Sequence, residues 1–126
     1  GTITDNMTGL MWLKNANNAR TGWSGTLTYI AGLNSGINSG NCGYTDWRLP
    51  NINELESLVN YSQSGIYNWL NGQGFTNVQN DSYWTATICA PDTSKAWYMS
   101  MGSGNENYST KDSYAYYVWP VRGPVQ

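Results

Sequence analysis

The chain has 126 residues, the usual size of one domain, and we expect residues 1–126 to form a single domain. Only 11% of the residues are charged, the net charge is −2, and six scattered Lys and Arg form no basic stripe, which argues against a nucleic-acid partner. No apolar run approaches the length of about 18 residues that crosses a bilayer, so we expect no membrane insertion.

The first third of the chain predicts a hairpin and then a helix. Residues 2–4 and 10–14 are short β-prone runs separated by Asp, Asn and Gly, which favour a turn. Residues 24–34 place apolar side chains at helical spacing, with Ser24 as the expected N-cap.

A second helix is predicted over residues 52–60. Pro50 sets the chain direction, and Asn51 with Glu54 has the spacing of a capping box. Residues 61–81 show no clean period and are predicted to be a loop.

The last third predicts a meander of four short strands. They cover residues 83–89, 96–101, 106–110 and 116–121, with turn residues between them. Two helices followed by a meander indicate the α+β class.

Short motifs in a fixed order carry a family resemblance. They are residues 4–12 (TDNMTGLMW), 42–51 (CGYTDWRLPN) followed by Glu54 and Leu55, 83–87 (YWTAT), 96–98 (AWY), 101–102 (MG) and 117–123 (YVWPVRG). In this order the chain resembles the C-terminal domains of Legionella collagen-like adhesins, a group also described as DUF1566.

The resemblance implies a C-type-lectin-like fold: two helices flanking a small, mainly antiparallel sheet, with the chain ends close together. The same superfamily holds the formylglycine-generating enzymes and the variable proteins that retroelements diversify. The resemblance also implies a protein that is secreted or displayed on a cell or virion surface.

The cysteines depart from the family pattern. Many relatives carry a Cys near the position of Asn17 that is suited to pair with Cys42, whereas this chain has Cys89 instead. Cys42 and Cys89 either pair with each other or are two small buried side chains. For an exported domain we predict the disulfide.

The C-terminal segment is the predicted binding surface. Residues 104–116 mix Tyr, Asn, Ser and Gly, as antibody loops do, and resemble the variable segments of the retroelement-diversified proteins. A solvated edge hairpin is the alternative interpretation. The candidate ligand-binding residues are Trp84, Asn105, Asn107, Tyr108, Lys111, Tyr114 and Tyr116.

Other prominent residues are expected to be architectural. Trp47, Arg48, Trp97, Trp119 and Arg122 lie inside the family motifs, where large aromatics build a core and guanidinium groups bond to loops. We expect Arg48 to hold loop carbonyls or a carboxylate and not a ligand.

The sequence gives little support for an enzymatic activity or for a bound cofactor. The chain has no histidine, and a lone Cys89 lacks a base and the nearby second cysteine that formylglycine-generating enzymes need. We therefore expect no enzyme and no cofactor. Oxygen-rich residues at 80–81 and 105–107 leave calcium open, although turn residues that satisfy their own backbone are the favoured interpretation.

The leading function is recognition of a glycan or a surface protein. Aromatic faces stack on sugar rings, and Asn and Ser bond to sugar hydroxyls, but the same composition suits proteins. The alternative is a structural or homo-oligomerising head on a fibre or adhesin, and a formylglycine-generating type of enzyme is the least supported.

Overall fold

The computed structural model describes residues 1–60, 62–63 and 65–124. Within them, helices and strands are mixed along the chain, which confirms the α+β class. The elements are β1 (Thr2–Thr4), β2 (Met11–Leu13), β3 (Arg20–Thr21), α1 (Trp23–Ser35), α2 (Ile52–Glu56), α3 (Ile66–Gly72), β4 (Ser82–Ile88), β5 (Lys95–Ser100), β6 (Glu106–Thr110), β7 (Tyr116–Tyr117) and β8 (Val121–Arg122).

A small antiparallel sheet joins the two ends of the described chain. Its order is β1-β2-β8, so the first and last strands both pair with β2. This confirms the predicted N-terminal hairpin and places the first and last strands in one sheet, on either side of β2.

A larger sheet has the order β3-β7-β4-β5-β6 and is antiparallel except for the pair β4 and β7. Its strands β4, β5 and β6 match three of the predicted strands closely. The fourth, residues 116–121, is divided between the sheets: β7 belongs to the large sheet and β8 to the small one. Pro120 lies between them, and since proline has no N–H it cannot donate to a continuous ladder.

The large sheet separates two hydrophobic clusters because neighbouring strand residues point to opposite faces. Tyr83 and Met99 pack with α2, α3 and parts of the small sheet. Trp84 and Ala96 lie on the other face and pack with α1 and Leu49. Both faces of the central strands are therefore buried over part of their length.

The observed helices differ from the predicted ones in their bounds and number, because contacts between residues far apart in the sequence also determine where a helix forms. α2 has the predicted capping box but ends at Glu56, four residues early. α3 falls within the residues predicted as loop, because its buried pair Ile66 and Leu70 covers too few turns to show a period. α1 begins at Trp23, and its N-cap is Gly22 and not Ser24, without a side-chain cap of its own.

Candidate functional site

The hairpin of β5 and β6 divides the predicted contact residues between the two faces of the large sheet. Asn107 pairs with Tyr98, and Tyr108 pairs with Trp97. Asn107 therefore lies on the face that packs against α1, and Tyr108 lies on the opposite face. The seven candidates do not form one surface.

Four residues on the α1 side form what we call the tyrosine face: Tyr98, Asn107, Tyr114 and Tyr116. The rings of Tyr98 and Tyr116 have centroids 4.6 Å apart, and the ring of Tyr114 is parallel to that of Tyr116 within 3° at 6.2 Å. Tyr114 is 56% exposed, Asn107 is exposed, and Tyr98 and Tyr116 are half-buried. The cluster thus presents ring surface to solvent from a packed base.

Trp84 is the base of this cluster, which corrects its prediction as a ligand contact. Its ring is fully buried, 4.8 Å from the Tyr116 ring and 6.2 Å from the Tyr98 ring. Its Nε1–H donates to the Thr21 carbonyl at 2.9 Å. A central strand, β4, carries it, so the indole is closed to solvent and the tyrosines cover it.

Hydroxyl groups border the tyrosine face. Ser82 and Ser100 are cross-strand partners next to the pair Trp84 and Tyr98, and Thr21 is the partner of Tyr116. All three are half-buried. The strand positions around the rings are therefore polar and uncharged.

One charged pair at the edge of the sheet, Arg20 and Asp81, lies on the other side. Arg20 is the partner of Tyr117, its guanidinium is 5.9 Å from that ring, and its Nε is 3.8 Å from the Asp81 carboxylate. Tyr117 packs against the cluster of Tyr83. Hence this cation does not serve the tyrosine face.

Two polar groups of the tyrosine face, the Asn107 amide and the Tyr98 hydroxyl, are hydrogen-bond donors. The Oδ1 of Asn107 accepts from the Tyr108 N–H at 2.8 Å, which orients the amide and leaves its nitrogen as a donor. Burial raises the pKa of the Tyr98 hydroxyl, and the neighbouring hydroxyls of Tyr116 and Tyr114 add to the effect. Tyr98 therefore remains a protonated donor at neutral pH.

The loop between β6 and β7 holds Tyr114 in place by anchoring to α1. The Asp112 carboxylate accepts from the Ser24 N–H at 3.1 Å and from its hydroxyl at 3.0 Å. A Cβ at Gly22 would lie 3.3 Å from the Asp112 Cα, so the loop approaches the helix start as closely as glycine permits. Lys111, predicted as a contact, places its ammonium 4.4 Å from the centre of the Trp23 ring.

On the opposite face, Tyr108 belongs to a separate group. Its ring meets that of Trp97 edge-on at 5.1 Å, and the Lys95 ammonium lies 5.6 Å from its centre. On this side burial, and then the neighbouring Glu56 carboxyl, raise the pKa of Glu106. Tyr108 is 43% exposed, but it is not part of the tyrosine face.

Asn105 and the oxygen-rich segments act within their turns. Asn105 is exposed just before β6, and its carbonyl accepts from the Ser100 N–H at 2.9 Å. One Asp81 oxygen accepts from the Ser82 N–H at 2.7 Å. Across residues 1–60, 62–63 and 65–124, no three His, Cys, Asp or Glu side chains converge as metal ligands would.

The predicted disulfide is not formed. Cys42 is an exposed free thiol, and Cys89 is a buried free thiol just after β4. Cys42 lines a polar groove of about 450 Å³ together with Asn17 and Tyr29, whereas Cys89 is enclosed at the turn into β5. Cys42 and Cys89 are therefore not bonded to each other.

Arg48 has the structural role that was predicted. Its guanidinium donates to both oxygens of Glu54 at 2.7 and 2.6 Å and to the Gly123 carbonyl at 3.0 Å. Arg122 similarly bonds to both oxygens of Asp46. These pairs fasten the segment before α2 to the last strand of the small sheet.

Sequence reasoning missed Tyr98 and Asp112. Tyr98 is inside a motif that was interpreted as core, but the turn at residues 102–105 fixes the hairpin register that places it beside Asn107. No local signal identifies Asp112, because its partner Ser24 is 88 residues away.

These features define an α+β domain whose larger sheet presents an open aromatic and amide surface. The family model of the Lcl C-terminal domain matches residues 1–122, and the chain therefore belongs to that family. No curated protein matches the chain. Among the helices that the structure describes, none has the length and apolar character needed to cross a bilayer.

Proposed function

We propose that this domain is a surface recognition module that binds its ligand through the tyrosine face. The observation that carries the proposal is the cluster of Tyr98, Tyr114 and Tyr116 over the buried Trp84. Exposed aromatic rings have a cost in water, and a folded protein keeps them grouped at the surface mainly where they meet a partner. Membership in the Lcl C-terminal domain family agrees with an adhesin-type role at a cell or virion surface.

Preorganisation supports this role. Asp112 and Gly22 fix the loop that carries Tyr114, and Trp84 fixes the ring of Tyr116 from below. Rings that are already ordered lose little conformational freedom when a ligand binds, so more of the contact energy remains as affinity.

The proposal extends to fold and chemistry. Helices on both sides of the large sheet, and first and last strands that share one small sheet, support placing the domain, with DUF1566, among C-type-lectin-like folds. We propose that it binds without catalysis and without a cofactor, since the chain has no histidine and Cys89 is a lone buried thiol.

Paired tyrosine variants test the location of the site. The domain, Tyr114→Ala and Tyr108→Ala are compared on an array of glycans and an array of purified extracellular proteins. Tyr108 is the matched control, because it is a similarly exposed tyrosine on the opposite face of the large sheet. A ligand lost with Tyr114 and kept with Tyr108 supports the proposal.

Two results would overturn it: no ligand on either array that depends on Tyr114, or equal loss in both variants while both melt like the parent. Chromatography with light scattering runs in parallel. If the parent is an oligomer and Tyr114→Ala is a monomer, the tyrosine face is a subunit interface and the structural-head alternative replaces recognition.

A further inference from the structure

We infer that the open edge of β1 and the apolar groove beside it bind an extended peptide that carries a tyrosine and, two residues before it, a lysine. The peptide pairs with β1 as an added antiparallel strand, and its tyrosine side chain enters the groove. The site shares no residue with the tyrosine face, so it is a second recognition surface and does not rest on the proposed function.

The backbone of β1 has an unpaired edge, because β1 is the outer strand of the small sheet. The Asp5 N–H donates to the Leu10 carbonyl at 2.8 Å. Bonded and non-bonded pairs alternate in an antiparallel ladder, so Ile3 bonds to β2 while the backbone groups of Thr2 and Thr4 point outward. In the part of the chain that the structure describes, those groups make no main-chain bond to another element. Such an edge is a template for an added strand.

An apolar groove of about 440 Å³ lies on the face of the small sheet that carries Ile3 and Trp12. The half-buried Trp69 of α3 and the buried Phe75 after that helix contribute to its walls, and the nearly fully exposed Met7 lies at its rim. This volume is in the range of pockets that enclose small ligands. It therefore accommodates a large aromatic side chain.

Trp12 favours an occupant that carries an oxygen. Its ring lines the groove and is fully buried, and its Nε1–H has no acceptor among the described residues. A buried donor without an acceptor costs free energy, so an occupant that brings an oxygen to this ring gains more than a purely apolar one. Tyrosine combines an aromatic body with a terminal hydroxyl.

The register of an added strand brings that tyrosine to the groove. The peptide residue opposite Ile3 forms a non-hydrogen-bonded pair, in which side chains lie closest, and it points to the same face as Ile3. Ile3 is in turn the cross-strand partner of Trp12, so the three side chains form one row. The strands of a sheet are about 4.8 Å apart, and a tyrosine is long enough to reach across Ile3 towards the indole.

The charge of the groove specifies the lysine. Among the residues that line the groove, Asp5 alone is ionisable. One of its oxygens accepts from the Met7 N–H at 2.9 Å, and within the described chain it forms no ion pair with a Lys or Arg. Asp5 is two residues after Ile3, so its neighbour on an antiparallel strand is the residue two before the tyrosine, on the same face. A cation at that position is complementary to Asp5.

The test is a titration of the ¹⁵N-labelled domain with blocked heptapeptides, followed by nuclear magnetic resonance. The lead probe is Thr-Lys-Thr-Tyr-Thr-Thr-Thr, and three matched probes replace its tyrosine by alanine, replace its lysine by glutamate, or reverse the sequence. We expect a Kd of about 0.1 to 1 mM for the lead probe. The alanine probe should bind at least about tenfold more weakly, and the glutamate and reversed probes about threefold.

The protein resonances and the peptide backbone report the strand pairing. The amide N–H groups of Thr2 and Thr4 should shift more than that of Ile3, which is already bonded to β2, and the indole N–H of Trp12 should shift with them. The N–H groups of the two threonines beside the tyrosine face β1, whereas the tyrosine N–H faces away. Methylation of either threonine nitrogen should therefore abolish binding, and methylation of the tyrosine nitrogen should leave it intact.

Two pairs of protein variants complete the test. Thr4→Pro removes an outward N–H without removing a bond to β2 and should abolish binding, while Thr4→Ala keeps the N–H and should bind like the parent. Met7→Ala should weaken binding because Met7 lines the groove, and it should fold normally because Met7 is nearly fully exposed. Ile37→Ala, at an exposed apolar side chain outside this groove, should leave the Kd unchanged.

The inference is overturned if the lead probe does not bind, if the tyrosine and alanine probes bind equally, or if the shifts are confined to the tyrosine face. Broadening of the Thr2 and Thr4 amides with rising protein concentration, together with a dimer in light scattering, also overturns it, because a second copy then covers the edge. The proposed function is judged separately by the Tyr114→Ala comparison on the arrays, so either surface can fail without the other.

Discussion

At the residue scale, two pairs of ionisable side chains have opposite effects on stability. Arg48 and Glu54 form a two-fold hydrogen-bonded pair, and bonding to Arg48 holds the pKa of Glu54 below its ordinary value. For Glu106, burial and then the neighbouring Glu56 carboxyl raise the pKa above its ordinary value. The first pair stabilises the ionised native state, and the second disfavours it.

Arg48→Lys should lower the free energy of unfolding. Lysine keeps the charge but has no planar fork, so it cannot hold both Glu54 oxygens and the Gly123 carbonyl together. Because the Arg48 side chain is 39% exposed and water replaces part of the lost bonding, we expect a loss of about 1 to 2 kcal/mol. Denaturant unfolding measures it, and binding by the folded fraction should persist. A variant that melts like the parent would show that the fork is dispensable.

Glu106→Gln should stabilise the domain at neutral pH and have little effect in acid. The raised pKa means that the native state binds the proton more tightly than the unfolded chain. Stability is therefore highest below the ordinary glutamate value of 4.5 and falls as pH rises from there through the raised native pKa. Gln removes that loss. Thermal unfolding of parent and variant at about pH 4 and about pH 7 gives the comparison.

The matched control is Glu56→Gln, which relieves the same repulsion from the other side. We expect it to raise the melting temperature at neutral pH in the same direction. An equal difference between parent and Glu106→Gln at both pH values would mean that ionisation of Glu106 is not the cause, and no change in Glu56→Gln would mean that burial alone raises the pKa.

At the element scale, the sequence predicts an element accurately when the contact that sets its boundary joins residues close together in the sequence. The start of α2 is determined by Asn51 and Glu54, three residues apart, and it was predicted to the residue. The start of α1 depends on Asp112, so Ser24 was wrongly assigned as the cap. The strand after Tyr116 was predicted as continuous, because nothing local shows that Trp119 and Val121 join a different cluster from Val118.

The candidate site shows the same limit. Composition alone led to Asn107, Tyr114 and Tyr116, because surface tyrosines and asparagines are conspicuous in a chain with so few charges. It could not separate Tyr108 from them, since that requires the register of the β5–β6 hairpin. Composition also led to Trp84 as a ligand contact, although Trp84 is buried because it lies in a central strand.

Asp112→Ala should loosen both the helix and the binding loop. The carboxylate completes the start of α1, and losing such a group costs about 1 kcal/mol. Amide hydrogen exchange should accelerate at residues 23–25 and 112–116 together, and ligand affinity should fall because Tyr114 is no longer held. In the proposed site Asp112 is a positioning residue, because its carboxylate is bonded to Ser24.

Asp92→Ala is the control for this prediction. Asp92 also bonds a serine, but Ser94 is only two residues away in the turn before β5. Its loss should leave exchange in α1 and the loop unchanged. Faster exchange confined to residues 112–116, with α1 unaffected, would show that the loop and helix are not coupled through this carboxylate.

At the scale of the whole molecule, the chain ends and the sheet are connected by a few long-range ties. β2 holds β1 and β8 together, and the backbone of Arg48 exchanges hydrogen bonds with Val121 at 2.8 and 2.9 Å. Trp119 packs on Trp12 and Phe75 and bonds to the Leu13 carbonyl. Such dependence of the core on both ends predicts that the domain unfolds as one unit.

The alkylation rates of the two cysteines test that cooperativity, because one thiol is exposed and the other is buried. Cys42 should react with an alkylating reagent at the rate of a free thiol, because it is exposed. Cys89 is 5% exposed, its N–H donates to the Lys95 carbonyl and its carbonyl accepts from Asp92, so the reagent reaches it only when the β4–β5 turn opens. In a Cys42→Ser background, the slowing of Cys89 alkylation relative to the unfolded chain gives the free energy of that opening. If the domain opens only by global unfolding, this value equals the free energy from denaturant unfolding. A much smaller value would mean that the turn opens alone, and equal rates at both cysteines in the parent would contradict the burial of Cys89 itself.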